Sequence, residues 1–440
     1  MNHPLPSAHS RRRFLGRAAA AALAMPFVSR LPVLGANNRL NIAGIGVGGK
    51  GWTDITSCDS ENIVGLCDID AGRLAKAGEK YPQAQRFADW RELFDRMGSG
   101  IDAVTVSTPD HSHYPPARTA VELGRHVYCQ KPLTHTVWEA RELTLAARRK
   151  RVATQMGNQG MAHPRLRREA ELVRGGVLGQ VREVHLWTDR PGRWWAQGLE
   201  PSTATAPVPA GISWDLWLGT APARPYAPGL HPFAWRGHWD FGTGALGDMG
   251  CHLFNLLALA FELRDPSRVE AESAGNTAES GPRWSIVRYE FPAGKHHPKM
   301  KVIWYDGGKR PDPALYGGQL DADNGVLVIG EKDTLLTSYE GVGRFRSGAR
   351  VEDFPRVPEF LPKLENWERG HYLEWIQACK GGPAAQSRFD IAGPVTEAVL
   401  LGNVAIRTGL PLRWNARRLR TGQAAADALL TRAYRPGFRV

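Results

Sequence analysis

Cysteine is scarce and unpatterned in this chain. Its five residues, Cys58, Cys67, Cys129, Cys251 and Cys379, form no C-x-x-C pair, which argues against zinc ribbons, dithiol redox motifs and a disulfide framework. Buried, reduced thiols are the expectation. Long hydrophobic runs are missing too. The longest apolar segment, 18–28, is broken by Pro26 and falls short of the roughly 20 residues that span a bilayer. There is no fixed-period repeat and no single basic stripe. Five of the twelve net positive charges lie in the first 36 residues and the rest are scattered. Without a zinc finger or an RNA-binding signature, nucleic acid is excluded as a partner. Asp110, His111 and His113 share one loop, but no matching ligand set accompanies them, so no metal is expected.

What is present begins with an address. Ser10-Arg11-Arg12-Arg13-Phe14-Leu15, followed by the short apolar run, matches the twin-arginine pattern read by a machinery that exports folded proteins. Residues 1–36 are therefore read as a signal segment and the protein as periplasmic or otherwise exported. Cleavage is expected near Ala36, although Leu34 is large for the small-residue rule. The alternative is a retained membrane tether.

From Leu40 the texture is α/β, and 440 residues suit two domains. Short apolar runs at 40–46, 62–70, 102–110, 126–132 and 152–158 alternate with helix-like stretches such as 137–151. That alternation predicts a parallel sheet with crossover helices. After a helix ending at Gly175-Gly176 the runs lengthen, at 179–190, 267–275, 285–294, 300–307 and 325–341. Several alternate apolar with polar residues, as in a sheet with one covered face. The boundary is placed at 160, giving a dinucleotide-binding domain over 37–160 and a second α/β domain over 161–440.

The loop "GIGVGGKG" offers Gly46, Gly48 and Gly51 in G-x-G-x-x-G spacing directly after the first strand, with Asp68 closing the second. Glycines there let a pyrophosphate approach the backbone, and the carboxylate binds ribose hydroxyls and repels a 2′-phosphate. NAD is the expected cofactor, and Arg73 is the one residue that could shift the preference. Ligands of open α/β sheets sit at the carboxyl ends of strands. Thr108, Pro109 and His113 of "STPDHSHYPP" and Gln130 and Lys131 of "CQKPL" fall at two such ends. Asp248 and His252 stand four apart in "GDMGCH", on one helical face. The bland alternative for that pair is a capping Asp and a satisfied His. "RPGRWWAQG" and "FAWRGHWDFG" gather Trp194, Trp195, Trp235 and Trp239 with Arg193, Arg236 and His238. Such residues either stack on a sugar and bind its hydroxyls or pack a core.

Together the glycine loop, "CDID", "STPDHSH", "CQKPL", "TQMGNQG", Asp248-x-x-x-His252 and the stretch 389–415 resemble the Gfo/Idh/MocA family of NAD(P)-dependent sugar oxidoreductases. The resemblance implies a Rossmann domain followed by an α/β domain with a large, mostly antiparallel open sheet, and homo-oligomers through that sheet. It assigns catalysis to Lys131, Asp248 and His252, with Lys131 also near the cofactor. Asn158, Trp194, Trp235 and Arg236 join Asp248 and His252 as candidate substrate contacts. One departure is Gln130, where the family usually has Glu. His252, oriented by Asp248, is the expected base, and Lys131 polarises the reacting oxygen. Export suggests tightly held NAD, recycled in place while a ring hydroxyl such as C3 is oxidised. Two alternatives stay open: an NAD-dependent glycosidase working through a transient keto-sugar, and a catalytically silent sugar-binding protein.

Overall fold

A computed structural model describes residues 38–201, 203–317, 323–364 and 366–440. The twin-arginine segment expected over 1–36 lies outside them. The first half is built on six parallel strands: β1 (Asn41–Ile45), β2 (Asn62–Cys67), β3 (Gln85–Phe87), β4 (Ala103–Val106), β5 (His126–Cys129) and β6 (Thr154–Met156). They lie in the order β3-β2-β1-β4-β5-β6. The order reverses between β1 and β4, which opens a crevice at their carboxyl ends. β4 and β5 are buried at every residue, as strands covered on both faces should be. β3 was not foreseen: three residues long, with only Phe87 buried, it gives no periodic pattern.

Local chemistry starts the crossovers. Asp70 accepts from the backbone N–H groups of Gly72 and Arg73 and opens the helix Ala71–Lys80. Thr136 and Glu139 form a reciprocal capping box on Val137–Lys150. Each cap satisfies donors that the first turn leaves unpaired.

The second sheet has eight strands in the order β13-β12-β11-β7-β10-β9-β8-β14. Its members are β7 (Val181–Trp187), β8 (Arg268–Ala274), β9 (Trp284–Phe291), β10 (Met300–Tyr305), β11 (Gly325–Gly330), β12 (Thr334–Thr337), β13 (Arg344–Phe345) and β14 (Leu412–Arg413). Only β7 and β10 pair in parallel; the other neighbours are antiparallel. The run 325–341 is a hairpin, β11 and β12, turning at Glu331-Lys332. The chain then returns to the first half. Tyr372, Trp375, Ile376 and Cys379 of the helix Trp367–Cys379 share one cluster with Leu40, Ile42, Ile55 and Tyr128. The helix Phe389–Thr408 packs on Val137–Lys150 and on β8. It is long and apolar enough to cross a membrane, but most of it is buried inside the protein.

Candidate active site

The crevice begins at the loop after β1. Gly46 has φ 78°, and a Cβ there would lie 2.7 Å from the Ser107 carbonyl oxygen. A Cβ on Gly51 would lie 1.8 Å from the Gly46 oxygen. No other residue fits either position without moving backbone. At the end of β2, Asp68 accepts from the N–H groups of Val47 (2.9 Å), Gly48 (3.0 Å) and Asp70 (3.0 Å). Burial raises its carboxyl pKa, while these donors and Arg73 pull the other way. Gly46, Gly48, Asp68, Thr108 and Pro109 line one cavity, open to solvent on one side. Thr108 Oγ1 is buried without a hydrogen-bond partner. A side-chain-free cradle, a carboxylate at the second strand end and an orphaned hydroxyl fit a dinucleotide. His113 does not line this cavity. It is 1% exposed, and its ring nitrogens meet the carbonyls of Thr108 and Pro132, each at 2.8 Å. It ties the β4 loop to the turn that carries Lys131 and so acts as a brace, a correction to its expected place against the cofactor.

The charged end of the crevice lies across β5. Lys131 Nζ donates to Asp248 Oδ1 at 2.6 Å and to the Asp248 carbonyl at 3.0 Å. Asp248 and His252 share the helix Gly244–Leu253, but Asp248 is not turned to the histidine. Its carboxylate faces three cations: Lys131, Arg190 at 3.1 Å and Arg236 at 3.5 Å. Burial alone would raise the Asp248 carboxyl; Lys131, Arg236 and Arg190 outweigh it and hold it well below the usual range. His252 Nδ1 is buried with no hydrogen-bond partner. Burial first, and Lys131 second, push its pKa down to about 3, against the attraction of Asp248. The expected orientation of His252 by Asp248 is therefore replaced by a cation cluster around Asp248 beside a neutral imidazole. Three full charges attract the carboxylate more strongly than one neutral ring.

The remaining candidates separate. Trp194 is 43% exposed, donates to Asp189 at 3.2 Å and lies under the Arg190 guanidinium at 4.4 Å. Trp235 is buried in an aromatic cluster with Trp214, Trp217 and Phe241, so it packs a core and offers no free stacking face. Arg236 spans both settings, above the Trp235 ring at 4.3 Å and beside Asp248. Asn158 is 2% exposed. It donates to Asn255 at 2.6 Å and accepts from Ser387 at 2.5 Å. Its amide joins three segments of protein rather than a ligand, because both ends are already used.

Comparison with known proteins follows the same two-part division of the chain. The family model for the NAD-binding Rossmann fold matches residues 40–158, and that for the C-terminal α/β domain matches 166–315. The chain belongs to the Gfo/Idh/MocA oxidoreductase family. Its Rossmann half is an NAD-binding domain. Among curated relatives, D-apiose dehydrogenase of Paraburkholderia graminis is 28% identical over 29% of this chain and 33% of that protein. Levoglucosan dehydrogenase of Pseudarthrobacter phenanthrenivorans is 26% identical over 43% of this chain and 40% of that protein. The chain thus spans well under two thirds of the length of these relatives. An aldose-aldose oxidoreductase from Caulobacter crescentus shares the fold with TM-score 0.58, 18% identity and coverage of 86% of this chain and 100% of that one. An inositol dehydrogenase homologue from Azotobacter vinelandii, solved with NADH and myo-inositol, gives TM-score 0.59 and 18% identity over 89% of this chain and 100% of that one.

Two residues of this Gfo/Idh/MocA member escaped sequence reasoning. Arg190 follows β7 and opens the stretch "RPGRWWAQG", where only Arg193 and the tryptophans stood out. Asp54 is fully buried on the helix Lys50–Thr56 and accepts four times: from Tyr372 (2.6 Å), Ser107 (2.6 Å), Gln130 (2.8 Å) and Lys50 (3.0 Å). This explains the departure at position 130. A Glu would set a second carboxylate against Asp54, whereas the Gln130 amide donates to it. The only trace in the sequence is an Asp on the helix that follows the glycines.

Proposed function

We propose that this protein is an NAD-dependent oxidoreductase acting on a ring hydroxyl of a sugar or glycoside, with C3 as the favoured carbon. NAD is held tightly and recycled in place. One observation carries the reading: the Lys131–Asp248 ion pair and a neutral, half-buried His252 stand together beside an NAD-binding crevice. Similarity to apiose and levoglucosan dehydrogenases supports a carbohydrate substrate. The exposed Trp194 offers a face for the C–H side of a sugar ring.

When bound, NAD supplies the nicotinamide that accepts hydride. Gly46, Gly48 and Gly51 would hold its pyrophosphate side, Asp68 its ribose hydroxyls, and Thr108, Pro109 and Gln130 the rest of the crevice, with Lys131 at its reacting end. His252, already neutral, takes the hydroxyl proton on Nε2, and Lys131 polarises the oxygen it leaves. Asp248 holds Lys131 in place through its carboxylate and its backbone carbonyl. Arg190 and Arg236 share that carboxylate, so Lys131 can release it without leaving a buried, unpaired anion.

The deciding experiment is an ultraviolet spectrum and mass analysis of protein purified without added cofactor, before and after mixed glycosides. Bound NAD that becomes reduced supports the reading. Release of an aglycone without added NAD would mark the glycosidase alternative, and sugar binding without reduction the silent one. We also read the protein as leaving the cytoplasm folded, through the twin-arginine route. Changing Arg11 and Arg12 to Lys should then retain it in the cytoplasm. Association through the second sheet is the expected oligomer, checked by light scattering.

A further inference from the structure

The dinucleotide crevice has a wall that the Rossmann half does not supply. Trp217, Thr220, His231, Pro232 and Phe438 line the same cavity as the glycine loop and Asp68. They come from the second half of the chain and from its tail. We infer that the segment 211–220 and the tail 434–440 form a clasp over the adenosine half of NAD and set the rate at which NAD leaves. The inference rests on the tight-NAD reading above and assigns its cause to particular residues.

The clasp is stitched to the Rossmann half along both arms. In the first arm, Ala71 N donates to the Gly211 oxygen and Ser213 N to the Ile69 oxygen, each at 2.9 Å, and Asp70 pairs with Ile212 as a lone antiparallel bridge. These contacts run directly past Asp68, the carboxylate placed for the adenosine ribose. Trp217 is stiffened by stacking on Trp214, with centroids 4.5 Å apart and planes 10° apart. A ring nitrogen of His111 lies 2.8 Å from the Trp217 carbonyl, and Thr220 Oγ1 donates to the His111 carbonyl at 2.7 Å.

The tail closes the second arm. Phe438 is 5% exposed, between the guanidiniums of Arg91 (4.4 Å) and Arg435 (4.8 Å). Arg91, on the helix Trp90–Met97, donates to the Gly437 carbonyl at 2.7 Å. Arg435 donates to the Gly219 carbonyl at 3.0 Å and pairs with Asp215. The tail therefore bridges the Rossmann half and the 211–220 segment, and Phe438 forms part of the cavity wall at that bridge. A ligand seated on Asp68 and the glycine loop has to displace one arm to leave. Slow exchange follows from two sets of polar stitches that open before the ligand moves.

The test measures release, not turnover. Full-length protein, Phe438→Ala and Arg91→Gln are each loaded with NAD and passed through gel filtration. NAD per chain is then counted by absorbance and mass, and release is followed by capturing free NAD with a second enzyme. Arg91→Gln unhooks the tail from the opposite side and keeps the inference open to failure should Phe438→Ala not fold; thermal melting without NAD reports folding for both. The inference expects release at least tenfold faster in both variants, with melting temperatures close to the parent. Unchanged release from a parent that retains NAD would overturn the clasp and leave tight binding standing. A parent that loses NAD on the column would overturn both.

Discussion

The two ends of the crevice are built from opposite materials. At the Lys131 end, Lys131, Arg190 and Arg236 crowd one carboxylate within 3.5 Å, and a neutral histidine stands beside them. At the Asp68 end, glycines, prolines and aromatic rings form a shaped cavity whose two acids, Asp68 and Asp89, are both occupied by backbone N–H groups. Charge at the first end is organised for a proton that moves. Shape at the second is organised for a ligand that stays. A substitution should therefore damage turnover or retention, seldom both.

The largest effect is expected from Lys131→Met. It removes the polarising cation, so turnover should fall by about 10²–10⁴-fold, while NAD per chain after gel filtration stays at the parental level. Loss of NAD together with turnover would erase the division between the ends. Next comes Gly51→Ala at the shape end. Its methyl would start 1.8 Å from a carbonyl oxygen, and forcing the loop aside costs about 1–3 kcal/mol. NAD affinity measured by calorimetry should weaken by roughly that amount. Gln130→Glu is expected to cost about 1–3 kcal/mol in stability, since Asp54 loses one of its four donors and faces a second carboxylate instead. Adding Asp54→Asn restores an amide–carboxylate pair and should recover most of the loss in a denaturant titration.

The smallest effect is one of pH. Folded His252 has its pKa lowered to about 3, against an unfolded value near 6.5. Stability from the neutral ring is therefore full above about pH 6.5 and is lost as pH falls toward the folded value. From pH 7 to pH 6 the loss is about 0.7 kcal/mol. His252→Gln should lose less over that interval than the parent. Equal slopes would mean that the ring is solvated and is no part of a desolvated proton-accepting end.

What could be read from the sequence was what lies close together in it. Gly46, Gly48, Gly51 and Asp68 belong to one strand-loop-helix-strand unit, and the glycines announce a steric demand that the backbone then makes. Lys131 was legible because it stands at a strand end, and Asp248 with His252 because their spacing puts them on one helical turn. The direction in which Asp248 points was not legible. It depends on Arg190 and Arg236, which arrive from loops without periodic pattern. Asp54 was hidden for the same reason, since its partners Gln130 and Tyr372 come from distant segments. The aromatic-rich stretches were ambiguous, because a tryptophan that packs and one that stacks look alike until burial separates Trp235 from Trp194.

The return of the chain to its first half has a consequence for the order in which the protein is made. The strands of the NAD-binding sheet leave the ribosome early, yet Tyr372, Trp375, Ile376 and Cys379, which complete the cluster against Leu40 and Ile42, follow only after the whole second sheet except β14 has been made. The donor that Tyr372 gives Asp54 arrives equally late. A nascent chain lacking that helix has an unfinished cofactor module, so stable loading with NAD waits until the helix Trp367–Cys379 has been made and packed.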